Sequence, residues 1–401
     1  MKILEIEIFG RGGLTHYVYN LSRELGARGH ETVIATAGDY ELDAHVRDLP
    51  PGVRVERVFS RLAGRMRGRL PYRVVRAFKG FEFVGDAFSV TALVRRFQPD
   101  VIHVHCTNAI ILWLMQLLKP HRRPIVYTAH DVTPHERFKL ERPIYRRIYA
   151  LADHIIAHSQ VDRERLAAEF GLDEVRVSVV PHGNYAFFLP GENALDRAGA
   201  RRELGLGADD EVALFFGFIR EYKGLDVLLE AWPDLSSARP RARLVVAGDP
   251  ARMEAPRARE LEARAAALGA VHHFRYIPFD AVGTYFAAAD VLVLPYRTIS
   301  QSGVLLLALS LGVPVIATRV GAFPEVIRDG ENGMLVDPGS VPQLRSALLR
   351  ILGDPDLRRR LAEAGKRTAK RDYSWGAIAG RTEQVFTDLV GGRVGKAAAT
   401  V

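Results

Sequence analysis

The sequence predicts an α/β protein of two domains, each a parallel sheet with helices on both faces. Three observations carry this. The chain has 401 residues, too many for a single core. Short apolar runs alternate with longer stretches of helical period along almost its whole length. The alternation breaks once, near residues 181–200, and then restarts.

Taken in order, "KILEIEI" (Lys2–Ile8) alternates as a strand. Leu14, Tyr17, Val18, Leu21 and Leu25 then recur at helical spacing, and Gly29 stops the helix. "TVIAT" (32–36), "VIHVH" (101–105), "PIVYTAH" (124–130) and "HIIAHS" (154–159) are further buried strands, with helical stretches between most of them. The segment "VSVVPHGNYAFFLPGENA" (177–194) is broken by Pro, Gly and Asn. A second series follows: "EVALFFG" (211–217), "ARLVVAGD" (242–249), "DVLVLP" (290–295) and "VPVIAT" (313–318). The domains are therefore expected at 1–185 and 186–374, with a final helix at about 375–390 packing back on the first.

Composition bounds the function. Hydrophobic residues are 48% and charged residues 25%, as in an ordinary globular protein. No apolar run approaches the ~18 residues of a membrane span. The N-terminus carries acids and reads as a first strand rather than a signal peptide. A single cysteine, Cys106, excludes an intrachain disulfide and a cysteine-based zinc site. A reducing, cytoplasmic setting is expected.

The balance is basic, with 55 Lys plus Arg against 47 Asp plus Glu. Arg54, Arg57, Arg61, Arg65, Arg67, Arg69, Arg73, Arg76 and Lys79 crowd one segment that holds a single acid, Glu56. This segment fits a surface for anionic lipid, on the inner face of a membrane, or for an acidic substrate. It fits equally a solvated loop and helix start. Nucleic acid is not expected, because no aromatic-interleaved basic strand or known helix motif accompanies the patch.

Ligands of parallel sheets bind beyond the carboxyl ends of the strands, and two such domains facing each other would line a cleft. The candidate residues follow strands. Ser300, Gln301, Ser302 and Gly303 stand between the strand "VLVLP" and an apolar helix. A helix start offers unpaired N–H groups and partial positive charge, so this turn can cradle phosphate. The same turn also fits an ordinary serine N-cap. "FFGFIREYKG" (215–224) again follows a strand and puts Arg220 and Lys223 about one turn apart. Cations at a helix start are mildly unfavourable on their own, which favours an anionic ligand there.

The pieces "GRGGLTHYVYNLSRELGARGHE", "DVIHVH", "YTAHDVTPHE", "ADHIIAHS", "VVPHGN", "FGFIREYKGLDVLLEA", "AADVLVLPYRTISQSGVLLLALSLGVPVIATRVGAFPEVI" and "DGENGMLV" occur in that order. In order and spacing the chain resembles the retaining glycosyltransferases of family 4, over nearly its whole length. The resemblance implies the GT-B fold, with two Rossmann-like domains across a cleft, an acceptor-binding first domain and a donor-binding second one. It implies Gly12 and Gly13 as the loop approached by donor phosphate or acceptor, and His130 as the catalytic histidine beside the transferring sugar. Arg220 and Lys223 match the diphosphate-binding cations, and Ser302, Gly303 and Val304 the helix mouth for the distal phosphate. Glu325 matches an acid near the nucleotide.

Two departures stand out. Many relatives carry two glutamates, one touching the sugar and one the ribose, where this chain has Ile299 or Ser300 and Leu307 or Ala308. Gln301 is expected to replace the first contact. The arginine that usually follows the glycine is displaced, with Phe218 in its place and Arg220 later.

Thirteen histidines make any single one weak evidence. His103 and His105 share one strand, but no third ligand is spaced for a metal. His135 and Glu136 are acceptor candidates, and His16 a weaker one. His182-Gly183-Asn184 reads as a cleft-facing turn or as a structural one.

No Asp-x-Asp pair follows a strand, so the expected chemistry is metal-independent and cofactor-free, with a nucleotide-diphosphate sugar as co-substrate. The acceptor is a hydroxyl, on a lipid-linked or polysaccharide precursor. Three rival readings remain. In a dinucleotide oxidoreductase, Thr15 would stand where the third fingerprint glycine belongs. The others are a non-catalytic sugar-nucleotide binder and a nucleotide-sugar epimerase.

Overall fold

Parallel strands feeding crossover helices need both sheet faces covered, so their residues are buried on both sides. A computed structural model describes residues 1–60, 72–106, 109–132, 141–185, 196–250 and 253–392. It divides into two compact units, Met1–His182 with Trp375–Val401, and Gly183–Ser374.

The first unit holds a seven-stranded parallel sheet in the order β3-β2-β1-β4-β5-β6-β7 among the described residues. The strands are β1 (Lys2–Ile6), β2 (Glu31–Ala37), β3 (Val53–Phe59), β4 (Val101–Val104), β5 (Ile125–Ala129), β6 (His154–Ala157) and β7 (Val177–Val179). β1 lies between β2 and β4, with Ile3 beside Thr32 and Val101. One core face gathers Leu4, Val33, Ile102 and Tyr127. The opposite face gathers Ile3, Ile34, Val126 and Ile156 against the helices Gly13–Ala27 and Trp375–Val390.

β3 was not anticipated. The sequence around Arg54 and Arg57 reads as a basic loop, but Val53–Phe59 adds an edge strand whose first five residues are only partly covered. An edge strand tolerates charge, which guards it against further pairing. Arg54 pairs with Glu31 at 3.1 Å, Arg57 with Asp43, and Arg96 with Glu56 at 2.6 Å. These cations are partly neutralised within the domain. Arg61, Arg65, Arg67 and Arg69 lie outside the described residues, and Arg73, Arg76 and Lys79 fall on the helix Tyr72–Phe97. No helix among the described residues is long and apolar enough to cross a membrane.

The second unit holds a six-stranded parallel sheet in the order β10-β9-β8-β11-β12-β13 among the described residues. Its strands are β8 (Glu211–Phe216), β9 (Ala242–Ala247), β10 (Val271–His273), β11 (Val291–Leu294), β12 (Val315–Thr318) and β13 (Met334–Val336). The two core faces centre on Leu214, Leu292 and Val315 on one side, and on Phe215, Val246, Trp232 and Ile316 on the other. The helix Gly303–Leu311 is apolar nearly all round because it is buried between the sheet and the helix Pro355–Asp372, where Gly365 leaves room for Leu309.

Gly183, Asn184 and Tyr185 belong to this second unit. Asn184 donates its amide N–H to Tyr373 O at 2.6 Å and its side-chain NH2 to Ala369 O at 3.0 Å. It caps the end of the helix Pro355–Asp372, which is the structural alternative for that turn.

The helix Trp375–Val390 returns to the first unit by burying Trp375, Ile378, Ala379 and Phe386 against Tyr17, Val18 and Leu21. Phe386→Ala should therefore cost about 3–5 kcal/mol, read from urea unfolding of the whole chain.

Candidate active site

In each sheet the chain first builds outward from one strand and then reverses. The reversal falls between β1 and β4 in the first unit and between β8 and β11 in the second. Loops leaving the carboxyl ends on either side of such a switch point part company and open a crevice. Gly12 and Gly13 follow β1, Arg220 and Lys223 follow β8 and Ser300–Gly303 follow β11, while His130 and Glu325 come after β5 and β12.

In the second unit four post-strand loops are drawn together by glycines. Gly217, after β8, has φ +104, and a Cβ on Gly248, after β9, would collide with the Gly217 carbonyl. A Cβ on Gly224 would collide with the Pro295 carbonyl after β11, and one on Gly321 with the Ile299 carbonyl. Arg297 ties the same loops, donating to Asp226 Oδ1 and Oδ2 at 2.9 and 2.7 Å and to Glu221 O at 2.8 Å.

Lys223 stands in this crevice. Its residue is 7% exposed, and its Nζ lies 5.1 Å from the centre of the Tyr296 ring. The position where Gly217 would carry a Cβ is 3.3 Å from that Nζ and 3.2 Å from Val304 Cγ2. No carboxylate among the described residues pairs with the ammonium. Burial lowers the Lys223 pKa, and the Arg220 charge adds to the effect. An unneutralised, desolvated cation is costly unless an anion completes it. Arg220 caps the short turn Glu221–Lys223, with its guanidinium 5.5 Å from the half-exposed Phe218 ring.

Ser302 is the N-cap of the helix Gly303–Leu311 and accepts from the Leu305 amide at 3.4 Å. The structure thus gives the serine hydroxyl the capping role. Gly303 makes room for Tyr185, whose hydroxyl occupies the side-chain position. Burial pushes the Tyr185 pKa up to about 12. Ser300 is buried, and its carbonyl accepts from the Ala322 amide at 3.1 Å. Gln301 is half-buried, and Glu325 is exposed on the short helix Phe323–Val326. Leu307 and Ala308 are buried in the core.

In the first unit Glu7 organises the loop after β1. It accepts from the Phe9 amide at 2.5 Å, from the Gly10 amide at 3.0 Å and from the Thr36 hydroxyl at 2.8 Å. Burial raises its pKa against these hydrogen bonds. Glu41 accepts from the Gly12 amide at 2.5 Å and sits 3.3 Å from His16 Nε2. The N-terminus of the helix Gly13–Ala27 therefore faces a carboxylate of its own chain. Gly12 and Gly13 have nothing within 4 Å of where a side chain would begin, so this loop is open to approach.

His130 follows β5 and meets two other histidines. His105 Nδ1 is 3.3 Å from His130 Nε2, and His158 Nε2 is 3.1 Å from His130 Nδ1. Tyr17 meets the His130 ring edge-on, with centres 4.8 Å apart. Burial and the neighbouring histidines hold the His130 pKa well below its usual value, and burial lowers His105 to about 4 and His158 to about 3. His135 and Glu136 lie outside the described residues.

The third partner for His103 and His105 comes from β1. Glu5, His103 and His105 are fully or nearly fully buried, and offer three donor atoms within 4.8 Å of one another. Glu5 Oε2 is hydrogen-bonded to His105 Nε2 at 2.6 Å, and His103 Nδ1 lies 2.9 Å from the same oxygen. Burial would raise the Glu5 pKa, but the two histidines outweigh it and bring it to about 2. Glu5, Glu7, Glu41, Arg297 and His158 had not been singled out. Two carboxylates inside an otherwise apolar parallel strand, "KILEIEI", were the available signal for the first pair. A wide recess of about 1100 Å³ in the second unit is lined by Arg328, Arg359, Arg367 and Lys370. None of the candidate residues lines it, and glycine-drawn loops and a buried lysine make the β8–β11 crevice the stronger site.

Residues 11–183 match the family described as Glycosyltransferase Family 4, and residues 196–368 match Glycosyl transferases group 1. A D-inositol 3-phosphate glycosyltransferase of Geodermatophilus obscurus is 31% identical over 391 residues, covering 91% of this chain and 82% of that one. Sucrose-phosphate synthase (tll1590) from Thermosynechococcus elongatus superposes with a TM-score of 0.74 at 22% identity, covering 98% and 99% of the two chains. Anabaena Alr3699/HepE in complex with UDP-glucose superposes at 0.73 with 19% identity, covering 97% and 100%. The chain belongs to the family 4 glycosyltransferases, and its two parallel-sheet domains have the GT-B fold. It is a glycosyltransferase.

Two outcomes follow from these electrostatics. Lys223→Met should raise the stability of the ligand-free protein by about 0.5–2 kcal/mol, measured by urea unfolding, because it removes an unneutralised cation. His105 and His158 are neutral in the fold but take up protons near pH 6.5 once unfolded. Stability should therefore fall as pH drops from about 6.5 towards 4, and His158→Gln should flatten that fall in chemical-denaturation midpoints.

Proposed function

We propose that this enzyme moves a sugar from a nucleoside-diphosphate donor to a hydroxyl acceptor, with retention of anomeric configuration and without a metal ion. The observation that carries the reading is the buried ammonium of Lys223 at the β8–β11 switch point, with Arg220 beside it and no carboxylate among the described residues to neutralise it. A diphosphate supplies the missing charge, and gains more charge as the glycosidic bond breaks. Cations and helix N–H groups fixed in advance stabilise that leaving group at no cost of reorganisation. Gly303 and Val304, at the start of the helix Gly303–Leu311, supply those N–H groups.

The donor contacts follow from the same crevice. In this reading Gln301 and Ser300 would contact the sugar, and Glu325 the nucleotide. The sequence reason for metal independence is that no Asp-x-Asp pair follows a strand. The acceptor enters by the open loop at Gly12 and Gly13, near His16, with His135 and Glu136 as further contacts. The sugar passes through an oxocarbenium-like state beside His130, and the acceptor hydroxyl attacks from the face the diphosphate leaves.

UDP-sugar use is supported by the Alr3699/HepE complex with UDP-glucose. For the acceptor, a lipid-linked or polysaccharide precursor fits the basic segment Arg54–Lys79. A small phosphorylated polyol is a second reading, favoured by the D-inositol 3-phosphate glycosyltransferase relative. An acceptor screen with both classes decides between them.

Lys223→Ala should weaken UDP binding about 30- to 1000-fold, as expected when one member of a buried charge pair is lost, and Arg220→Ala should weaken it by less. Isothermal titration with UDP checks this, and unchanged affinity in both variants defeats the donor site. Turnover that continues in excess EDTA, with product of the donor's anomeric configuration by NMR, tests the other two elements.

A further inference from the structure

We propose that Glu5, His105 and His158 are positioning residues that fix the orientation and tautomer of the His130 ring from either side. The inference rests on the reading above that His130 faces the reacting sugar, and it deepens that reading.

It is a single chain of contacts across five neighbouring strands or strand ends. His105 Nε2 lies 2.6 Å from Glu5 Oε2, and His105 Nδ1 lies 3.3 Å from His130 Nε2. His130 Nδ1 lies 3.1 Å from His158 Nε2, and His158 Nδ1 lies 2.9 Å from Val180 O. β1, β4, β5, β6 and β7 are neighbours in that order, so the chain runs across the carboxyl edge of the sheet like a strap. Both ends are fixed. A carboxylate and a peptide carbonyl accept hydrogen bonds and cannot donate them. His105 must therefore carry its proton on Nε2, and His158 must carry its proton on Nδ1.

That leaves two lone pairs, on His105 Nδ1 and His158 Nε2, pointed at the same ring. A neutral His130 has one N–H to give. The single N–H is assigned to Nδ1, facing His158 at the shorter contact, and the 3.3 Å contact of Nε2 with His105 Nδ1 is then lone pair to lone pair, packing without a hydrogen bond. Each ring nitrogen of His130 has a histidine nitrogen within 3.3 Å. The ring is held in one orientation, and its tautomer is dictated by its neighbours.

Aromatic rings surround the strap. The rings of His103, His105, His158 and His182 and the Tyr17 phenol crowd the same volume. Trp375 closes it, packing on Tyr17 and His182. Thr128 Oγ1 bonds His103 Nε2 at 2.7 Å. The Glu5 carboxylate stands behind His130 through His105. A neutral imidazole backed by a carboxylate suits a sugar that develops positive charge, whereas an imidazolium would oppose it.

The test uses the whole chain labelled with 15N-histidine, with His130 signals assigned by their loss in His130→Gln. The wild-type His130 should be in the Nδ1–H form and should not titrate between pH 5.5 and 8.5. In His158→Phe its proton should move to Nε2, towards His105. The same variant should lose about 10- to 100-fold in kcat with little change in donor KM, and its rate should acquire an acid limb that the wild type lacks. His158→Gln, whose amide oxygen can accept in place of Nε2, should recover most of the rate. Glu5→Gln keeps the side-chain shape and should shift the His130 signals while the protein stays folded.

A freely titrating wild-type His130 overturns the proposal, as do unchanged signals or an unchanged pH profile in both variants. One equivalent of metal in the purified protein that Glu5→Gln releases also overturns it. Failure of the donor-site reading would show elsewhere, as unchanged UDP binding in Lys223→Ala with the histidine signals intact.

Discussion

A lysine ammonium that is buried with no carboxylate among the described residues beside it is the constraint from which the second domain is best understood. The fold stabilises most of its buried charges by pairing them: Asp290 meets Arg197 and Arg201, and Glu211 meets Arg239. These pairs lie away from the switch point and serve the scaffold. Lys223 breaks the rule, and it does so where strand order reverses and the loops part. The glycines at 217, 224 and 248 permit the approach that buries it. The stability given up there is what an anionic ligand restores on binding.

The first domain treats charge in the opposite way. Its carboxylates Glu5, Glu7 and Glu41 are each occupied by groups of the same domain: histidines, backbone amides and His16. Their effect is to set the shape of two loops and the state of one ring. Glu7 holds the Phe9–Gly10 turn, Glu41 meets the first helix at Gly12, and Glu5 starts the strap that reaches His130. One domain thus presents positive charge awaiting a ligand, and the other presents geometry already satisfied.

Some of the site could be read from the chain alone because local rules specify it. Ser302 before a greasy helix, Lys223 before Gly224 and Gly12-Gly13 after a strand all follow from caps, turns and strand ends. The parts that escaped are those without local signature. Glu5 reaches His105 across 100 positions, and Arg297 reaches Asp226 across 71. Nothing in the spacing of the histidines announces that His105, His130 and His158 follow three adjacent strands. The basic run at Arg54 misled for a related reason, since an edge strand shows only a weak pattern on its exposed side.

The sequence by itself determined the class of fold, the strand-to-helix rhythm and the residue types at the strand ends, because periodicity and caps act over a few residues. Only the tertiary structure decided which loops share a crevice, which cation is buried with no carboxylate among the described residues beside it and which histidine stands between two others. Those outcomes depend on strand order, and strand order is set by packing between segments far apart in the chain.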